Sequence, residues 1–256
     1  MPAGVCKALP VRRALMVPVM AALSLLTVST ASTGLAGCAR EAPHPSTPPD
    51  RAGAHAPAAA PAPCLSQSDD GLFLICLQRE IDEVWSAEFR DSGRHYEPPR
   101  LSVGEAAAAG AGHERDLARD RAYFSGRSGI HFPTRYLDDV HKAHGTRAHI
   151  VLTFTLGHET GHHVQQLLHP GVEAPDTEVE TQADCYAGLW ARREAGMGRL
   201  DVASFLSGAD AEVRRLSQDP DEVRTHGSAD QRIASVARGL AATGPAACDV
   251  GQLTWR

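Results

Sequence analysis

His158 and His162 stand four residues apart, with Glu159 directly after the first of them. Residues four apart on a helix lie one above the other on a single face. Two imidazoles so placed can reach one metal ion at about 2.0–2.1 Å. Glu159 then leans toward the ion's open position. From there a carboxylate can take a proton from a zinc-bound water and pass it to a leaving amine. The chemistry implied is metal-assisted hydrolysis around one Zn2+ ion.

Two histidines leave such a site one protein ligand short of the usual three plus water. The next segment reads Thr177-Glu178-Val179-Glu180-Thr181-Gln182-Ala183-Asp184. Glu180 and Asp184 are again four apart and share a helix face. Glu180 can complete a His2Glu set, and Asp184 can accept the second ring N–H of His158, fixing its tautomer. Glu178 is the competing ligand, but it has no paired acid one turn on.

These residues need helices to hold them. An apolar-rich helix from about Thr146 to Leu168, stopped by Pro170-Gly171, carries the histidines, and its composition predicts a central, buried position. Gly161 within it costs about 1 kcal/mol relative to alanine, so close approach of the following helix is expected there. Ahead of it, Ile130-His131-Phe132-Pro133 reads as a strand that the proline places at a sheet edge, where an extended peptide could pair. Tyr136 to His144 reads as a short helix; His141, His144, His149 and His169 read as surface residues with no acidic partner one turn away on the matching face. Asp70 is expected to cap a helix from Gly71 to Arg90 with Leu72, Leu74, Ile75, Ile81, Val84, Trp85 and Phe89 on its apolar face. In the last third, Asp201 caps a helix through Leu206, Ala209 to Gln218 forms another, and Ser228 with Gln231 makes a capping box for a helix to about Ala242.

Three blocks carry a family resemblance: His158-Glu159-Thr160-Gly161-His162-His163-Val164-Gln165, Glu180 through Trp190, and Thr225-His226-Gly227-Ser228-Ala229-Asp230-Gln231-Arg232. In order and separation they resemble the signature blocks of the bacterial putative neutral zinc metallopeptidase family. Weaker similarity runs from Trp85 through Tyr96-Glu97-Pro98-Pro99 to Cys248-Asp249. The resemblance implies a zincin domain of the thermolysin-like type, α+β and mainly helical, with a small sheet whose edge strand precedes the HExxH helix. It also implies an oxyanion donor from the C-terminal part, for which His226 is the candidate and Tyr186 and His163 are weaker ones. Family members commonly have a cysteine pair near the strand that this chain lacks at Ala122-Tyr123-Phe124-Ser125, so the groove is expected to differ.

The ends of the chain give an address. Lys7, Arg12 and Arg13 precede an apolar run from Ala14 to Val28, and Leu35-Ala36-Gly37-Cys38 resembles a lipobox. Residues 1–37 are expected to be a lipoprotein signal peptide. Residues 38–63 form a Pro/Ala-rich tether lipidated at Cys38, which cannot bury enough apolar surface to fold, and 64–256 the peptidase domain. Four cysteines remain in an exported domain, Cys64, Cys76, Cys185 and Cys248; of three possible pairings, sequence distance favours Cys64–Cys76 and Cys185–Cys248. A net charge of −6 with scattered basic residues excludes a nucleic-acid surface. The expectation is a membrane-anchored, extracytoplasmic zinc endopeptidase acting on peptide or protein substrates. Its rivals are a non-catalytic envelope lipoprotein on the same scaffold and a zinc amidase acting on cell-wall peptides.

Overall fold

The computed structural model describes residues 64–104 and 121–255. The expected signal and tether, and with them Cys38, lie outside the described residues. No described helix is long and apolar enough to cross a membrane.

Helix α1 spans Asp70–Asp91. Its cap is Asp69, not Asp70: the Asp69 carboxylate accepts the Leu72 N–H at 2.8 Å, which leaves Asp70 as the first helical residue with its side chain committed elsewhere. Phe73, Leu74, Leu77, Ile81, Val84, Trp85 and Phe89 are buried. Leu72 and Ile75, expected on that face, are exposed. The three- and four-residue steps from Leu74 through Leu77 and Ile81 to Trp85 put positions 72 and 75 on the outer side.

Strands β1 (Leu101–Val103), β2 (Tyr123–Ser125) and β3 (Gly129–Phe132) form one sheet in the order β1-β3-β2. β3 pairs parallel with β1 and antiparallel with β2, Ile130 facing both Leu101 and Phe124. The strand that precedes the histidine-bearing helix is therefore central among the described residues, not the expected edge. Pro133 does not forbid this, because it lies just past the ladder at the N-cap of α2 (Thr134–His144).

Helix α3 (Ala148–Leu168) passes through the middle of the domain with Val151, Leu152, Phe154, Leu156 and Val164 buried. Beside it lies α4 (Asp176–Gly196). The expected pair of helices after Asp201 is a single helix, α5 (Val202–Leu216), with Asp201 capping it through the Ser204 N–H at 2.7 Å. Gly208 does not break it; a side chain there would press on the Ile150 carbonyl of α3. A short helix α6 (Pro220–His226), unanticipated from the sequence, precedes α7 (Ala229–Ala241), which begins with the expected Ser228–Gln231 capping box. Gly188 of α4 and Gly239 of α7 let these two helices touch backbone to backbone, since a Cβ on either would collide with the facing carbonyl, of Val236 and of Cys185 respectively. Both expected disulfides are present, Cys64–Cys76 and Cys185–Cys248, the second closing the C-terminal segment onto α4. The result is the expected α+β, mainly helical domain with a small sheet.

Candidate metal centre

One turn of α3 and one turn of α4 meet at the site. His158 and His162 turn their Nε2 atoms toward each other at 3.1 Å. Glu180 brings Oε2 to 3.2 Å from His158 Nε2 and 3.6 Å from His162 Nε2. Ligand atoms bound tetrahedrally at about 2.0–2.1 Å from one ion sit about 3.3–3.4 Å apart, so the three donors are spaced to share a zinc ion. Glu180 Oε2 is buried and meets no hydrogen-bond donor outside these ring nitrogens. A buried carboxylate oxygen left so is costly unless a cation takes it up, and the residues present fit zinc.

Each ring is held by its other nitrogen. His158 Nδ1–H donates to Asp184 Oδ1 at 2.8 Å, the partnership expected for Asp184. His162 Nδ1–H donates to Gln165 Oε1 at 2.9 Å. The Gln165 amide in turn donates to the Val179 carbonyl at 2.7 Å and to Gln182 Oε1 at 3.1 Å, so its orientation is fixed. Both tautomers thus leave Nε2 for the site. Asp184, with no exposed surface, is clamped in turn by Arg232 through Nε–H to Oδ2 at 2.8 Å and Nη2–H to Oδ1 at 2.9 Å. Sequence reasoning missed Gln165 and Arg232 as supports. Gln165 has a signal, three residues after His162 on the same face, whereas Arg232 is 48 residues from Asp184 and has only its place in the third family block.

The electrostatics favour a cation. Burial alone would lower the His158 ring, but Asp184 and Glu180 overturn this and lift it to about 10. Burial would likewise raise Glu180, yet the two rings hold it well below the carboxylate range. Glu159 makes no such pair, and burial pushes its carboxyl up. It lines a small cavity of about 60 Å³ with Phe154, Thr155, His226 and Arg232. On the other side of His162 a wider cleft of about 430 Å³ opens between Phe124, Gln166, His169, Val179 and Leu253. Strand β2 runs along both, Ala122 just before it lining the first and Phe124 the second.

His226 ends α6 with Nε2 3.8 Å from Glu180 Oε2 and Nδ1 2.7 Å from the Thr225 hydroxyl. Burial holds it at about 4 despite the nearby Glu180 carboxylate, so the ring is neutral at pH 7. The two weaker donor candidates are elsewhere. Tyr186 is fully buried edge-on against Trp85, and His163 Nε2–H donates to the Glu97 carbonyl. Glu178, the competing ligand, lies against Gly251 of the C-terminal segment. Nor is His144 a surface residue, since its Nε2 meets the buried Glu212 carboxylate at 2.9 Å.

Two histidines one helical turn apart with a glutamate from the neighbouring helix make the His2Glu donor set found in thermolysin-type zinc enzymes. The chain belongs to the putative neutral zinc metallopeptidase family, whose family model matches residues 46–250. It is 28% identical over 211 residues to the uncharacterized protein YpfJ of Escherichia coli K12, covering 72% of each chain. It is also 30% identical over 124 residues to the uncharacterized protein Rv2575 of Mycobacterium tuberculosis H37Rv, covering 38% of this chain and 42% of that one. No solved structure matches it.

The approach of α4 to α3 depends on Gly161, as its place in the motif implied. A Cβ there would lie 2.8 Å from both Cα and the carbonyl oxygen of Ala183, which sits between Glu180 and Asp184 in the sequence. Gly161→Ala must push α4 outward and carry both acids with it. Overpacking of this kind costs about 1–3 kcal/mol, so thermal unfolding should show a melting temperature several degrees lower. Chelator competition should show weaker zinc retention in the same variant; unchanged retention would mean that the helix contact does not set the ligand spacing.

Proposed function

We propose that the protein is an extracytoplasmic, membrane-anchored zinc endopeptidase that hydrolyses peptide bonds. The observation that carries the reading is the convergence of His158 Nε2, His162 Nε2 and Glu180 Oε2 within 3.1–3.6 Å, with Glu159 buried beside them at the wall of the small cavity. His158, His162 and Glu180 would hold one Zn2+, which when bound supplies Lewis-acid polarisation of the scissile carbonyl and acidifies the attacking water. Glu159 takes the proton of that water and delivers it to the leaving amine nitrogen. Its apolar burial keeps the carboxyl basic enough for the first task and acidic enough for the second. His226 lines the same cavity as Glu159, and in a form protonated at Nε2 it can donate to the developing oxyanion. Asp184 and Arg232 act through His158, holding its ring.

The substrate lies in the cleft beside the metal centre, where Phe124 of β2 together with Val172, Val179 and Leu253 supplies apolar contacts for its side chains. Two disulfides in the domain favour an oxidising compartment. With the lipobox-like Cys38, this supports an anchor on the outer face of the cell membrane. The test is cleavage of a peptide library by the chain from Cys64 onward. Internal peptide bonds should be cut, a chelator should abolish cutting and added Zn2+ should restore it; hydrolysis indifferent to chelation would sink the reading.

A further inference from the structure

On the far side of α3 from the catalytic cluster, three more ligand-type side chains converge. His141 near the end of α2 and His149 in the first turn of α3 point their Nε2 atoms at one oxygen of Asp70, Oδ1, at 2.9 and 3.0 Å. His141 Nε2 also lies 3.0 Å from Asp70 Oδ2. All three donor groups fall within a single ion's reach. In the sequence these histidines read as surface residues; the acid that meets them both comes from α1, 71 residues before His141.

The cluster is held in place before any ligand arrives. The His149 ring stacks on Phe73 at 4.3 Å with an interplanar angle of 6°, and His141 meets it edge-on at 5.9 Å. Asp70 lies in the first turn of α1, where the helix dipole favours a carboxylate. Because Asp69 does the capping, the Asp70 side chain is not drawn into the backbone. Asp70 and His149 are each 19% exposed and His141 45%, so an ion can enter and waters can complete its shell.

We propose that Asp70, His141 and His149 form a second, structural site for a divalent transition ion, Zn2+ foremost. Two imidazoles and one carboxylate suit zinc by donor type; each Nε2 lies about 3 Å from Asp70 Oδ1 and all three donor atoms lie within 4.8 Å of one another, so small rotations of the side chains reach a spacing of about 3.3 Å. The site is not part of a two-metal catalytic pair, whose ions sit about 3.5–4 Å apart. His158 follows His149 by nine residues, which on a helix is about 13–14 Å along the axis and half a turn around it. An ion here clips the start of α1, the end of α2 and the start of α3 together. Since it binds only the folded chain, it raises stability by mass action.

The experiment is metal counting on the full-length chain, purified in detergent, equilibrated with Zn2+ and freed of excess by dialysis. Wild type should hold two ions per chain. His141→Ala, a change at an exposed side chain, should hold one and keep its peptide hydrolysis; Asp70→Asn should match it in metal content. Glu180→Ala should also hold one ion, and its melting temperature should still rise with added Zn2+, a rise that the His141→Ala/Glu180→Ala double variant should lose. The readout does not depend on activity, so the proposal can stand or fall apart from the peptidase reading. One ion per chain in wild type, unchanged in His141→Ala, overturns it. So does a second ion that survives both His141→Ala and Asp70→Asn.

Discussion

Glu159→Gln should leave the protein folded and loaded with zinc while lowering turnover of a peptide substrate by about 10³-fold. The replacement preserves the shape of a side chain that is 7% exposed and lines the cavity beside the two histidines. It removes only the ability to take and return a proton. His158, His162 and Glu180 keep their mutual spacing, so the metal content of the variant should equal that of wild type by elemental analysis. KM should change little, because the substituted amide still fills the same wall. The combination separates a proton-transfer role from a structural one: a folding defect would lower zinc and activity together. Full turnover in the variant would remove Glu159 from the mechanism and leave the scaffold-only reading of the fold standing.

The residues that can be read from the sequence are those whose partners lie on the same helix or the next one. The His158–His162 pair, the Glu180–Asp184 pair and the Ser228–Gln231 capping box all follow from four- or three-residue spacing, and each is met in the structure. Gly161 is legible for a related reason, since a glycine in a buried helix is unfavourable unless another backbone needs the space. What escapes depends on contacts across the chain. Arg232 reaches Asp184 from α7, and Asp70 reaches His141 and His149 from α1. No local period announces either. The sheet order fails differently: Pro133 suggests an edge, but a proline just beyond a ladder takes no hydrogen bond from it and says nothing about which strand lies outside. Among the described residues the outer places fall to β1 and β2, each a three-residue strand too short to show an alternation of its own. Likewise the helices expected to end at Leu206 and begin at Ala209 are one, and Gly208 between them lets α5 lie against the Ile150 carbonyl.

Glu180→Ala should produce the complementary phenotype, loss of metal at the His158–His162 pair with the fold retained. Losing an outer-shell partner of a ligating histidine weakens metal binding by about 10–100-fold. Removing a ligand carboxylate should cost more than that, because it takes away both a bond and the negative charge that meets both Nε2 atoms, at 3.2 and 3.6 Å. The measurement is best made in a His141→Ala background, so that any ion counted belongs to this site. There, zinc should be recovered stoichiometrically with Glu180 present and lost to a weak chelator with Glu180→Ala, hydrolysis vanishing with it. Glu178→Ala is the matched control. It lies two residues away on the same helix, but its carboxylate rests against Gly251, so it should keep both zinc and activity. If Glu178→Ala lost the metal while Glu180→Ala kept it, the ligand assignment would be reversed, and α4 would have to turn by about half a revolution to present the other acid. Asp184 would then swing away from His158 and Arg232, the contacts that fix the rotation of α4. The helix can satisfy one set of partners or the other, and the buried Arg232–Asp184–His158 chain commits it to Glu180.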